Sequence, residues 1–154
     1  MKFSYLLFFL TIFTGVALSQ RVPTGEVVIQ SLAGGLFWML DNNNVTLGPQ
    51  NDVSWTIVPY GESENVYSII RRGLFDEYVQ YNGLDGQLST ERLHPPLPSK
   101  ALWRIEYHTT LYYSICSIVQ DSLSPVCATA DDKKVIASYA DSDPRQWWTI
   151  FVVN

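Results

Sequence analysis

Histidine and cysteine are scarce in this chain, with two of each among 154 residues. His94 stands before Pro95-Pro96 in a loop-like stretch, and His108 closes a strand-like one. No H-E-x-x-H pattern, G-x-S-x-G elbow or phosphate-cradling glycine loop is present. Carboxylates are scattered, and no two are singled out as a glycosidase pair. The expectation is a protein that is not an enzyme and holds no cofactor and no metal. Charge is thin as well: 16% of residues are charged and the formal net charge is −5. Such a surface has no basic footprint for nucleic acid or anionic lipid. A 3.6-residue apolar period is absent from every segment of useful length, which predicts almost no helix.

Long apolar runs are missing except at the start. Lys2 precedes Leu6 to Phe13, and Ala17-Leu18-Ser19 places small residues where a signal peptidase reads. Residues 1–19 are therefore expected to be a signal peptide cleaved before Gln20, with the product secreted and extracellular and no membrane partner remaining. Its removal leaves 135 residues, one domain's worth, with 9 basic and 15 acidic side chains. In an exported chain Cys116 and Cys127 have one possible pairing, and a disulfide with Cα atoms roughly 4.4–6.8 Å apart is expected. Their C-x10-C spacing fits no zinc or redox motif. Asn44-Val45-Thr46 is a glycosylation sequon at a predicted turn.

What the chain does have is a repeat. Trp55-Thr56-Ile57, Trp103-Arg104-Ile105 and Trp148-Thr149-Ile150 recur at intervals of 48 and 45 residues. Each follows a strand-like run ending in isoleucine: Val27-Val28-Ile29, Val66 to Ile69, and Tyr112 to Ile115. Turn residues cut each unit into four short strands; in the second these are Val66–Ile70, Glu77–Tyr81, Gln87-Leu88 and Leu102–Tyr107. Asp85-Gly86 is a hairpin signal, with glycine expected to supply positive φ. A four-stranded unit cannot cover its own apolar face, whereas three copies about an axis close a barrel and bury Ile, Leu and Trp in layers. The reading is all-β: a β-trefoil of residues 20–154, with repeats at about 25–63, 64–110 and 111–154, and with the W-x-I tryptophans in the core.

The whole mature region resembles the fungal β-trefoil protease inhibitors, cospin-like serine protease inhibitors and their mycocypin relatives. The resemblance rests on Pro23-Thr24-Gly25 leading into Val27-Val28-Ile29, Val45-Thr46-Leu47-Gly48-Pro49 before Trp55, Asn65 to Ile69, Asp85-Gly86-Gln87-Leu88, and the closing W-x-I strand. It implies a surface loop that plugs an endopeptidase active site. The long segment Ser89–Lys100 is the candidate. Leu88 to Trp103 spans 15 residues against 8 from Leu47 to Trp55, and three prolines lower the ordering cost of presenting it. Arg92, Leu93 and His94 are the candidate inhibitory residues, with Arg71 and Arg72 on a second loop.

The framework is also similar to ricin-B-type lectins, through Leu40-Asp41 in unit one and Gln146-Trp147-Trp148 in unit three. That likeness implies a sugar site at Asp41, with Trp38 stacking on the ring; Asp41 beside three asparagines is equally a turn. A protease is the leading partner expected from the sequence and a glycan the alternative.

Overall fold

The structure, a computed structural model, describes residues 22–50, 52–109, 111–119 and 124–153. The expected signal peptide lies outside the described residues. Twelve strands make up most of the regular structure among the described residues. In the first repeat they are β1 (Gly25–Ser31), β2 (Phe37–Asp41), β3 (Asn44–Gly48) and β4 (Trp55–Pro59). The second holds β5 (Val66–Arg71), β6 (Glu77–Gln80), β7 (Ser89–Arg92) and β8 (Trp103–Thr109). The third holds β9 (Tyr112–Ser117), β10 (Val126–Asp131), β11 (Lys134–Tyr139) and β12 (Trp148–Val152). Two 3-10 turns, Ser99–Ala101 and Pro144–Gln146, are the only helical pieces among the described residues.

The first and last strand of each repeat close a ring in the order β1-β4-β5-β8-β9-β12, every neighbour antiparallel and β12 returning to β1. The remaining six strands form three hairpins, β2–β3, β6–β7 and β10–β11. These meet one another through β3–β7, β3–β11 and the bridge Gln87–Ile136. A closed ring leaves no free edge in the barrel. The threefold relation is visible in the register: Ile57 faces Ile69, Ile105 faces Ile115 and Ile150 faces Ile29. All six are buried. Each such side chain contributes about 1.5–3 kcal/mol relative to exposure.

The tryptophans form the next layer. Trp55, Trp103 and Trp148 are completely buried. Each indole N–H donates to a carbonyl on the second strand of its own repeat: Trp55 to Trp38 at 3.3 Å, Trp103 to Val79 at 3.0 Å, Trp148 to Ala128 at 3.1 Å. The equivalence of the three units is therefore a matter of bonding as well as of spacing. It also equates Trp38, Val79 and Ala128, which differ greatly in volume. The extra volume of Trp38 meets Trp55 and Trp148 edge-on, at centroid distances of 5.9 and 5.3 Å.

Three expectations need correction. The third strand of unit two is Ser89–Arg92, not Gln87-Leu88. β7 reaches further along the chain because Glu77 to Gln80 pair with Arg92 to Ser89, so the free loop starts only after Arg92. At the Asp85-Gly86 turn the positive φ belongs to Asp85, at 60°. Gly86 is required instead for close approach, since a Cβ there would meet the Asn82 carbonyl oxygen at 2.7 Å. The Cys116–Cys127 disulfide is present, but its Cα atoms are 3.8 Å apart, below the expected range. The bond joins residues directly opposite each other on adjacent antiparallel strands.

Candidate functional site

Strand alternation decides which side chains of β8 and β9 reach solvent. Ile105 and Ile115 point into the barrel, so Arg104, Glu106, Ser114 and Cys116 point out. Beyond Glu106 the register shifts between Tyr107 and Thr109, and His108 is the extra residue of this bulge. A bulge re-aims its side chain. Here the His108 ring lies on Tyr112, with centroids 5.8 Å apart and planes at 22°. Tyr112 in turn stacks on Trp147 at 4.5 Å and 16°. His108 Nε2 is also 2.8 Å from the Ser114 hydroxyl. These residues line a groove of about 290 Å³, with the disulfide in its wall.

Trp147 is placed by the residues before it. Gln146 is buried; its amide donates to Thr129 Oγ1 at 3.1 Å, Ser138 Oγ at 3.1 Å and the Tyr139 carbonyl at 2.7 Å. Its carbonyl oxygen accepts from the Asp141 backbone N–H at 3.2 Å. Asp143 caps the Pro144–Gln146 turn by accepting from the Arg145 backbone N–H and pairs with the Arg145 guanidinium. The side-chain bond from Arg145, followed by its backbone N–H, holds the Asp143 carboxyl below its ordinary value. Because Trp148 must face the core, Trp147 faces out. The groove therefore offers stacked ring surface beside the Arg104–Glu106 ion pair, whose N···O distance is 4.0 Å.

The sequence-predicted sugar pair does not form a site. Trp38 is completely buried between Trp55 and Trp148, so it cannot stack on a ligand. Asp41 lies three residues further along β2, on the exposed end, where it accepts from the Asn42 amide at 3.0 Å. Asn42 and Asn43 adopt left-handed φ values of 47° and 67°, which is turn chemistry. Asn44 is exposed and starts β3 opposite Asp41, whereas Val45 of the sequon is buried.

The two candidate inhibitory loops come together. Arg71 and Arg92 both face Glu77, at 3.6 and 3.8 Å, and Arg72 pairs with Asp76. The Arg92 guanidinium lies 4.4 Å from the Phe75 ring centroid. Leu93 is half-buried and His94 exposed. The proline segment is anchored by the Leu97 N–H, which donates to the Tyr60 hydroxyl at 3.1 Å. Arg92 is thus held on a strand by two partners and does not project from a loop tip.

Sequence reasoning missed Arg104, Glu106, Tyr112 and Trp147 as one group. Two signals were available. Arg104-Ile105-Glu106 has the period-two alternation of a half-buried strand. The Trp147-Trp148 doublet, once Trp148 is assigned to the core, forces its neighbour outward.

No protein-family model and no curated protein matches the chain. Solved structures do. It is similar to a designed threefold-symmetric protein, ThreeFoil, at TM-score 0.68 and 14% identity, over 84% of this chain and 99% of that one. It is similar to Cry35Ab1 at TM-score 0.69 and 18% identity, over 87% of this chain but only 37% of the other's length. It is also similar to a salivary protein of Culex quinquefasciatus from a cysteine- and tryptophan-rich family. There the TM-score is 0.64 and the identity 20%, over 87% of this chain and 96% of that one. At such identities the likeness concerns the fold alone, and the fold it supports is the all-β trefoil.

Proposed function

We propose that this chain is a secreted, non-enzymatic binding protein that holds a carbohydrate in the groove between its second and third repeats. The observation that carries the reading is the Tyr112–Trp147 stack opening beside Arg104 and Glu106. A sugar presents an apolar C–H face and a rim of hydroxyls. Aromatic surface takes the first, and fixed charged or polar groups take the second. The groove lies near the lower end of ligand-site volumes, about 300–1,000 Å³, which suits a small glycan terminus. Only the third repeat supplies the two stacked rings. The positions matching Trp147, one residue before each core tryptophan, are Ser54 and Leu102. Binding is accordingly monovalent, and weak without avidity.

A glycan array probed with wild type and with Trp147→Ala tests the reading. The expected result is a defined set of bound glycans lost in the variant, with Asp41→Ala behaving as wild type. An array without hits, or hits that survive Trp147→Ala, contradicts it.

Endopeptidase inhibition is the second reading, supported by the anchored, proline-rich segment after Arg92. To enter a specificity pocket Arg92 must leave both Phe75 and Glu77, which lowers this reading below the first. Purified protein that leaves a panel of serine and cysteine proteases fully active ends it.

A further inference from the structure

The turn between β5 and β6 places large apolar side chains in water. Leu74 is 93% exposed, the most of any large apolar side chain among the described residues, and its neighbour Phe75 is 56% exposed. Single exposed apolar residues need no explanation, but contiguous ones do. Leu93 and Pro95 arrive beside them because β7 pairs with β6 in a register that sets Arg92 opposite Glu77. Together with Tyr78 these residues line a shallow depression of about 600 Å³.

The charge around this depression runs against that of the molecule. The chain has 10 basic and 15 acidic side chains. Arg92 and Asp76 line the depression, and Arg71, Arg72 and Glu77 adjoin it through ion pairs, so the cluster carries an excess of one positive charge. The guanidinium groups are also the outer layer: the side chains of Arg71, Arg72 and Arg92 are 42%, 55% and 63% exposed, whereas that of Glu77 is 14% exposed. A partner therefore meets arginine and apolar surface first. Arg92 is already held by the Phe75 ring and Glu77, so little of its freedom remains to be lost on binding.

We infer that this face docks a protein segment presenting a large apolar side chain flanked by a carboxylate. The apolar group covers Leu74 and Phe75, and the carboxylate takes the paired donors of Arg92 or Arg71. Aromatic and arginine residues together have the composition of interface centres. The inference uses none of the residues of the carbohydrate groove and stands or falls separately from it.

The test is a random dodecapeptide phage library selected on the immobilised full chain, followed by titration of the most enriched peptide in synthetic form. Enriched peptides are expected to carry Leu, Phe or Trp within a few positions of Asp or Glu. Phe75→Ala and Arg92→Glu should each weaken the peptide at least tenfold, and added salt should weaken it further. Leu74→Ser provides a variant that cannot disturb the core, since that side chain is almost fully exposed, and it should weaken binding while the melting temperature holds. Phe75→Ala should leave glycan binding as in wild type. Three results overturn the proposal. One is a selection without consensus. Another is a consensus peptide indifferent to all three variants. The third is concentration-dependent self-association, seen by light scattering and lost in the same variants, because the occupant would then be a second copy of this chain.

Discussion

The indole N–H groups separate two kinds of buried tryptophan. Trp55, Trp103 and Trp148 each donate to a strand carbonyl, whereas Trp38 Nε1 is buried without a hydrogen-bond partner. Removing one member of a buried bond leaves the other unsatisfied, at about 1–3 kcal/mol beyond the lost packing. Removing a group that had no partner carries no such addition. Trp103→Phe is therefore expected to destabilise the protein by about 2–4 kcal/mol, and Trp38→Phe by less, in chemical denaturation at one pH. Equal losses would mean that the three-carbonyl pattern has no energetic content. The W-x-I spacing made these residues legible as core, and the prediction that all three are buried holds. Trp38 misled because one aromatic next to an aspartate satisfies a sugar-site pattern in sequence, while strand alternation turns it into the barrel. Its large volume is offset by the smaller Val79 and Ala128 at the equivalent places, a compensation across repeats that no local pattern reveals.

Among the elements, the β9–β10 connection has a covalent tie. Cys116 and Cys127 join strands at the wall of the groove, across a sequence separation of 11. A loop of this order gives about 3 kcal/mol by restricting the unfolded chain. Cys116→Ala with Cys127→Ala should lower stability by roughly that amount, about 2–4 kcal/mol. Because the bond also fixes the strands beneath Tyr112 and Pro125, glycan affinity should fall in parallel at temperatures where the variant remains folded. Calorimetry and glycan titration on the same preparation check both. Unchanged stability would place the constraint in the folded strands alone. The pairing was legible from the only two cysteines of a chain expected to be exported; the short Cα separation was not, because it depends on cross-strand register. The same gap explains the long loop of unit two. Turn residues mark where strands end, but Ser89-Thr90-Glu91-Arg92 has little strand propensity and becomes a strand only by pairing with β6. That pairing draws Arg92 onto the sheet and brings it to Phe75, changing a candidate loop tip into part of the proposed docking face.

For the whole molecule, threefold architecture and the proposed onefold function are separate outcomes of the same sequence. The repeated Ile and Trp positions build a closed ring that is indifferent to what its outer wall carries. In the proposed reading, function then depends on positions outside the barrel core that differ between repeats: Trp147 where the others have Ser54 and the buried Leu102, and Tyr112 where they have Glu26 and Val66. These substitutions leave the core unchanged, so a search for shared motifs passes over them, and the site was less legible than the fold for that reason. The five tryptophans offer a direct readout of the central claim. Four are completely buried, and only Trp147 is partly open to solvent. In a ¹⁵N-labelled sample their indole N–H signals can be followed while the best glycan from the array is added. The account predicts that the Trp147 signal shifts most, saturably, with backbone shifts at Tyr112 and His108, while the Trp38 signal stays in place. Saturable shifts centred on Asp41 and Trp38, or binding that leaves Trp147 unmoved, would contradict it.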